Sequence, residues 1–124
     1  MKFDFEGEAP LYQQVAEEIS EGIFNGSYKE ETQIPSTTEI SKMYKINPAT
    51  ILKGMNKLVE ENLIEKKRGL GMFVKSGAQQ ALLEKRKTEF INHKLLNILE
   101  EAQKLDISQE QLINLIERGY TKWT

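Results

Sequence analysis

The feature that most constrains the fold of this chain is a pair of short predicted helices with only three residues between them. Ser36 and Glu39 form a capping box that opens a helix over about residues 37–44. Asn47, followed by a proline at the first helical position, caps a helix that is predicted to reach about residue 62. Because so short a connection forces a sharp corner, the spacing predicts a helix-turn-helix, although helical bundles contain the same corner for packing reasons alone.

A basic hairpin with glycines at its tip is predicted directly after the second of these helices. Two short strand-like runs within residues 63–75 flank Gly69 and Gly71, and the first run leads into Lys66-Lys67-Arg68. A basic hairpin in this position is typical of the wing of a winged helix. The same glycines also fit an ordinary hairpin turn, whereas a phosphate-binding loop is disfavoured because no Gly-Lys-Ser/Thr sequence follows.

The residues before the helix-turn-helix predict one more helix and then a polar loop. Apolar side chains at three- and four-residue spacing predict a helix over about residues 10–25, which Gly26 ends. The residues of this stripe are Tyr12, Val15, Ala16, Ile19 and Ile23. Residues 27–35 are polar apart from Tyr28 and Ile34, and they are predicted to form a loop.

The C-terminal residues predict a helical hairpin with more aliphatic surface than it can bury alone. A long helix is expected over about residues 78–105, and Ser108 with Gln111 caps a helix that ends before Gly119. Trp123 is expected to pack against this tail. The N-terminal module or a second chain must cover the aliphatic side chains, and their long seam favours a symmetric homodimer. The residues predicted to form its interface are Phe90, Ile91, Leu95, Ile98, Leu99, Ala102 and Leu105.

Net charge by itself argues against a polyanionic partner, but the charge is unevenly distributed along the chain. The 124 residues carry a formal charge of -2, with a pI near 5.6. Residues 1–33 hold two basic and eight acidic side chains, residues 34–75 hold eight and four, and residues 76–124 hold seven of each. The middle segment is therefore basic, which fits either a solvated lysine surface or a nucleic-acid-binding surface.

The composition disfavours several classes of function. The chain has no cysteine and one histidine, His93, so we predict no disulfide, no metal site, no cofactor and no enzymatic activity. No apolar run approaches the roughly 20 residues that cross a bilayer, and the first residues do not resemble a signal peptide. We therefore expect a cytoplasmic protein that does not act at a membrane.

Four motifs in order and spacing resemble the winged-helix domain of GntR-type bacterial transcriptional regulators. They are Ala9-Pro10-Leu11-Tyr12-Gln13-Gln14-Val15, Ile34-Pro35-Ser36, Ile46-Asn47-Pro48-Ala49-Thr50-Ile51 and Arg68-Gly69-Leu70-Gly71-Met72-Phe73-Val74. The resemblance covers roughly residues 3–75, and the Asn-Pro-x-Thr motif with the short helical tail is similar to the YtrA-type branch. It implies a dimeric repressor that binds a palindromic DNA operator.

The expected fold is mainly α with a small β-hairpin, as a winged helix-turn-helix followed by a C-terminal helical hairpin. Residues 1–75 are expected to bind DNA, and residues 78–124 are expected to form the dimerisation tail. In the DNA-binding domain, Ala49 is expected to touch a thymine methyl group and Lys53 to donate to a guanine edge. Polar groups at two helix N-termini, the wing lysines and Arg68 are expected to contact phosphates, while the wing tip approaches the minor groove. The predicted DNA-binding residues are Ser36, Thr37, Thr38, Asn47, Ala49, Thr50, Lys53, Lys57, Lys66, Arg68, Gly69 and Leu70.

Several positions depart from the pattern of the relatives. Thr38 stands where relatives commonly carry an arginine that helps to hold DNA, Glu30-Glu31 replaces a common Pro-Gly, and Gln33 and Leu70 replace commonly basic residues. Fewer arginines mean fewer bidentate contacts, so weaker or more salt-sensitive binding is expected. A protein-interaction module, in which the wing meets an acidic protein surface, stays open as the alternative function. An unidentified small-molecule effector, bound at the tail or the dimer interface, also stays open.

Overall fold

The computed structural model describes residues 1–122, which are mainly helical and contain one antiparallel β-hairpin. This confirms the predicted fold class. The elements in chain order are α1 (Leu11–Phe24), α2 (Thr37–Tyr44), α3 (Pro48–Glu60), β1 (Ile64–Lys67), β2 (Gly71–Val74), α4 (Ala78–Glu89), a π-helical turn (Phe90–Leu95), α5 (Leu96–Lys104) and α6 (Gln109–Lys122). The helices of the helix-turn-helix and the two strands agree closely with the sequence-based bounds. The packing expected of Trp123 lies outside the described residues.

The chain divides by packing into two units, residues 1–84 and residues 85–124. The first unit has one hydrophobic core, in which α1 packs against α3 and the hairpin closes one side. The buried core residues are Val15, Ala16, Ile19, Ile23, Ile34, Ile40, Ile46, Ile51, Met55, Leu58, Leu63, Ile64, Val74, Ala78 and Leu82. The burial of Ala78 and Leu82 explains why the first unit extends into α4. The assignment of DNA binding to residues 1–75 and of dimerisation to residues 78–124 stays a prediction.

The polar segment before α2 forms a strand-like edge on the wing, which the sequence did not indicate. Ile34 N donates to Met72 O at 3.0 Å, and Val74 N donates to Thr32 O at 3.0 Å. Gln33 pairs with Phe73 as an antiparallel bridge. A polar run without alternating apolar residues looks like a loop, yet its backbone groups still need partners, and β2 supplies them.

A buried glutamine fastens the N-terminal residues to the first turn of α1. The Gln14 side chain is 9% exposed; it accepts from Asp4 N at 2.7 Å and donates to both Asp4 O and Ala9 O at 2.8 Å. A buried amide is costly unless its donor and acceptor are both satisfied, and here both are. The start of α1 is therefore held by side-chain hydrogen bonds.

The loop after α1 folds back onto that helix through an aromatic ring. Any side chain at Gly22 would collide with the Tyr28 ring, so the ring lies directly on the helix backbone. Burial raises the pKa of the Tyr28 phenol, and the neighbouring Tyr44 and Glu18 raise it further. Tyr28 thus anchors the loop to α1 just before the residues that pair with β2.

The tail differs from its prediction in two respects. The long helix expected over residues 78–105 is helical as far as Lys104, but Phe90–Leu95 is π-helical. A π-helical turn holds more residues per turn than an α-helix, so it shifts the angular position of every later side chain. The prediction that a helix ends before Gly119 was wrong, because α6 continues to Lys122. Gly119 has ordinary helical geometry there, with open space where a side chain would lie.

We expect the substitution Gly54→Ala to lower the free energy of unfolding of the first unit by about 1 to 3 kcal/mol. A Cβ at residue 54 would lie 2.6 Å from Tyr12 O and 3.0 Å from Val15 Cβ, so α1 and α3 would have to separate. In an open helix the same change would stabilise by up to about 1 kcal/mol. Gly119→Ala in α6 is the matched control, and urea denaturation is the measurement. An unchanged or raised stability for Gly54→Ala would contradict the close approach of the two helices.

Candidate nucleic-acid interface

The corner between α2 and α3 is fixed by one backbone conformation and one buried side chain. Lys45 ends α2 in the left-handed region with φ of 55°. Ile46 is buried in the core, and its carbonyl oxygen accepts from Ser41 Oγ at 2.7 Å. The helix-turn-helix therefore has a defined angle, which positions α3 relative to the rest of the unit.

Both helices of this corner begin at the polar caps predicted from the sequence. Ser36 Oγ accepts from Glu39 N at 3.0 Å, and the Glu39 carboxylate accepts from Ser36 N at 3.2 Å, which completes a capping box. Asn47 Oδ1 accepts from Ala49 N at 2.9 Å. Thr37 turns its hydroxyl inward and donates to Met55 Sδ at 3.6 Å. The caps thus set the helix starts, while Thr38 remains exposed.

The surface of α3 that faces away from the core carries the residues predicted to read bases. Ala49 and Lys53 are exposed, while Thr50 and Lys57 are half-buried. Leu52 is 44% exposed beside them, although leucine usually occupies the core. An open groove of about 530 Å³ runs along this face and is lined by Tyr12, Ala49, Leu52, Lys53, Asn56, Lys57 and Glu60. The surface therefore offers both apolar and hydrogen-bonding groups to a ligand.

The tip of the wing is a tight turn that is held from the side. Leu70 N donates to Lys67 O at 2.9 Å, and Gly69 and Gly71 have positive φ of 77° and 122°. Glycine adopts these angles without steric cost. Gln33 Nε2 donates to Leu70 O at 2.6 Å, so the strand-like edge supports the turn. Leu70 itself is 64% exposed at the tip.

The basic residues of the wing point mostly into solvent. Lys66, Lys67 and Arg68 are exposed, and β1 pairs with β2 so that Lys66 lies opposite Met72. Lys67 lies over the wing's own Phe73 ring, with 4.5 Å from Nζ to the ring centroid. The wing is therefore a short protrusion with positive charge near its tip, which suits an anionic partner.

Two residues of this surface were missed as site residues by the sequence analysis. The apolar spacing places Tyr12 in the stripe of the first helix, yet the centroid of its ring lies 4.1 Å from Lys53 Nζ. The sequence marks Gln33 only as the replacement of a basic residue, yet its side chain donates to the wing tip. The glycine that follows Lys53 was the available signal for the first contact, since glycine permits close helix packing. No local sequence signal marks the contact of Gln33 with the wing tip.

The tail residues predicted to form the dimer interface fall into two groups within the second unit. Ala102 is 7% exposed and lines an apolar groove of about 370 Å³ between α5 and α6. Leu99 borders the same groove but is still 37% exposed, and Leu95 is half-buried. The other four, Phe90, Ile91, Ile98 and Leu105, are exposed. Part of the predicted seam is therefore used within the chain, and the rest is uncovered.

Residues 1–122 contain no helix that is long and apolar enough to cross a membrane. No cluster of three or more His, Cys, Asp or Glu side chains in the same residues could hold a metal ion.

Comparison with known proteins gives the same assignment for sequence and fold. Residues 11–74, which are just over half of the chain, match the gntR family of bacterial regulatory proteins. The chain is 27% identical over 112 residues to the HTH-type transcriptional repressor YtrA of Bacillus subtilis strain 168, covering 90% of this chain and 85% of that protein. The resemblance to YtrA-type regulators is thereby confirmed.

Solved structures agree with this assignment. A GntR-family protein from Bacteroides thetaiotaomicron, described as a transcriptional regulator, has a TM-score of 0.80 at 28% identity, covering 91% of this chain and 99% of that one. The DNA-binding domain of AraR, solved in complex with operator ORR3, has a TM-score of 0.53 at 32% identity, covering 60% of this chain and 89% of that one. These relatives favour DNA binding over a protein-interaction module. The chain therefore belongs to the GntR family of bacterial regulatory proteins, which are DNA-binding transcriptional regulators and not enzymes.

Proposed function

We propose that this protein is a transcriptional repressor that binds a palindromic operator as a homodimer, with one winged helix on each half-site. The observation that carries the proposal is that one packed unit presents an exposed α3 face and an exposed basic wing. The similarity of the chain to the repressor YtrA and to the AraR domain solved in complex with its operator supports the same function. As a bacterial regulator of transcription, the protein would act in the cytoplasm.

Base recognition is assigned to α3. With its N-terminal half in the major groove, Ala49 would contact a thymine methyl group and Lys53 would donate to O6 or N7 of guanine. Thr50 and Lys57 lie on the same helix and would contact the adjacent backbone. These groups are exposed or half-buried, so DNA could reach them without unfolding of the core.

Backbone contacts are assigned to the two helix N-termini and to the wing. Ser36, Thr38 and Asn47 lie at helix starts, where free N–H groups and the helix dipole favour phosphate. Thr37 would contribute its backbone N–H there, because its hydroxyl donates to the buried Met55 Sδ. Caps and phosphate contacts are compatible for Ser36 and Asn47, since a capped helix end can still face the DNA backbone. In the wing, Lys66 and Arg68 would contact phosphates while Gly69 and Leu70 approach the minor groove.

A second copy of the chain is the partner proposed for the tail. Phe90, Ile91 and Ile98 are exposed apolar side chains on consecutive helical segments, and Leu105 is exposed at the C-cap of α5. Large exposed apolar patches are rare on monomers and mark interaction surfaces. Two-fold pairing of the tails would cover them and would place two winged helices on a two-fold symmetric site. An unidentified small-molecule effector remains a prediction from the sequence.

Operator selection with two variants tests this proposal. We expect the protein to enrich a palindromic sequence from a random duplex pool. Lys53→Ala is expected to reduce the preference for one base pair in each half-site by about 1 to 3 kcal/mol. Arg68→Ala is expected to weaken binding to all sequences alike, because phosphate contacts carry no base information. Selection followed by competition binding measures both effects.

The control for these variants is Lys104→Ala, which removes the same charge from the tail. Lys104 is largely exposed and pairs with Glu100 at 3.4 Å, an interaction of small energetic value at a surface. Its selected sequence and affinity should equal those of the unmodified protein. If the unmodified protein enriches no sequence, or if neither Lys53→Ala nor Arg68→Ala changes binding, the proposed function is wrong.

A further inference from the structure

The contact between Tyr12 and Lys53 joins α1 to the face of α3 that is assigned to base recognition. The Lys53 ammonium lies over the Tyr12 ring, 4.1 Å from its centroid. Both residues line the groove that also contains Ala49 and Leu52. A cation over an aromatic face is attracted by the ring quadrupole, and 4.1 Å is well within the range of this interaction.

The position of the ring is set by the backbone. Gly54 follows Lys53, and a Cβ at Gly54 would lie 2.6 Å from the carbonyl oxygen of Tyr12 itself. The two main chains therefore meet beside the aromatic contact, and Val15 in the next turn of α1 is fully buried. Since the core fixes both backbones, the ring has a defined position against the Lys53 ammonium group.

Such a contact matters because of the flexibility of lysine. Its ammonium group sits on a four-carbon stem, and ordering that stem upon binding costs conformational entropy. A ring that already restricts the ammonium group lowers this cost. The ring also limits which base edges the ammonium group can reach, so it affects which DNA sequence the protein prefers.

We propose that Tyr12 is a positioning residue of the DNA interface, whose ring holds the Lys53 ammonium on the recognition face of α3. This inference rests on the proposed function, because it needs Lys53 to meet a base. Tyr12 acts through Lys53, and the aromatic ring is the part of its side chain that does so.

The binding test uses the duplex that the unmodified protein selects from a random pool. Tyr12→Leu removes the ring and is expected to weaken binding about 3- to 10-fold. It should also reduce the preference for the same base pair that Lys53→Ala affects. Tyr12→Phe keeps the ring and should bind within about 2-fold of the unmodified protein. Tyr12→Leu with Lys53→Ala should bind no more weakly than Lys53→Ala alone, since the ring then has nothing to position.

The contrasting variant is Phe73→Leu, which removes the equivalent ring beneath Lys67 in the wing. It should weaken binding without changing base preference. The inference is overturned if Tyr12→Leu has the same effect in the presence and absence of Lys53, which would indicate a packing role. It is also overturned if Tyr12→Phe loses as much as Tyr12→Leu, or if Tyr12→Leu binds more tightly.

A second measurement needs neither DNA nor a stable Tyr12→Leu variant. In the free, unmodified protein, the ring should shift the ε-methylene proton resonances of Lys53 upfield, and Lys53→Arg assigns those resonances. Tyr12→Phe should retain the shift. Unshifted ε-methylene resonances for Lys53 would overturn the inference whatever the DNA results. If the shift is present but the unmodified protein selects no sequence, the proposed function has failed and Tyr12 positions nothing for DNA.

Discussion

The affinity of the protein for its operator is expected to fall by a factor of ~10³ to 10⁵ between about 50 and 200 mM salt, if a dimer neutralises ~6 to 10 phosphates. The whole chain carries a net charge of -2, but residues 34–75 hold eight basic and four acidic side chains. The exposed wing residues Lys66 and Arg68 lie within that segment. Phosphate contacts by these groups release bound counterions, and added salt opposes that release.

Fluorescence anisotropy over a salt series measures this dependence as the slope of log K against log salt. Arg68→Ala should make the slope shallower by about one per protomer, because each lost phosphate contact releases one counterion fewer. Lys104→Ala in the tail should leave the slope unchanged. An affinity for DNA that hardly changes with salt would contradict the assignment of the basic segment to phosphate binding.

Charge placed in the tail seam is expected to separate the dimer. Ile98 is 51% exposed in the single chain, and the proposed dimer would bury it. Ile98→Glu should raise the dimer dissociation constant at least about 100-fold, since burying an unpaired carboxylate costs several kcal/mol and two-fold symmetry repeats the change. Affinity for the full palindrome should then approach that for a half-site, because the second winged helix is no longer tethered.

Sedimentation equilibrium measures the oligomeric state, and Asn97→Glu supplies the same charge at the neighbouring exposed position. That control should remain dimeric. Because Ile98 is half-exposed in the chain, circular dichroism should show the same helix content for both variants. A dimer that survives Ile98→Glu would place the interface elsewhere and would refute the seam predicted from the sequence.

Much of the first unit could be predicted because its signals are local. The Ser36 capping box and the Asn47 cap are read from residues within three positions, and the structure has both hydrogen-bond patterns. The wing tip needed only the glycines and their strand-like flanks. The charge of the basic segment is likewise a property of composition along a short stretch. These local features together indicated the winged helix and its family.

The tail was predicted less accurately because its pattern has more than one solution. Apolar residues at heptad-like spacing suit a uniform α-helix, but the structure has a π-helical turn at Phe90–Leu95. The spacing also did not separate the residues that pack within the chain from those left exposed. Ala102 is buried between α5 and α6, while Ile98 is not. Periodicity identifies an apolar face and leaves its partner unspecified.

The sequence by itself determined where the helices of the first unit begin, which hairpin forms the wing and which segment carries positive charge. Only the tertiary structure decided how those elements support one another. Gln33 holds the carbonyl group of Leu70, 37 residues away, and Gly54 lets Tyr12 approach Lys53. Caps and turns depend on residues a few positions apart, whereas these contacts exist only once the core has brought distant segments together.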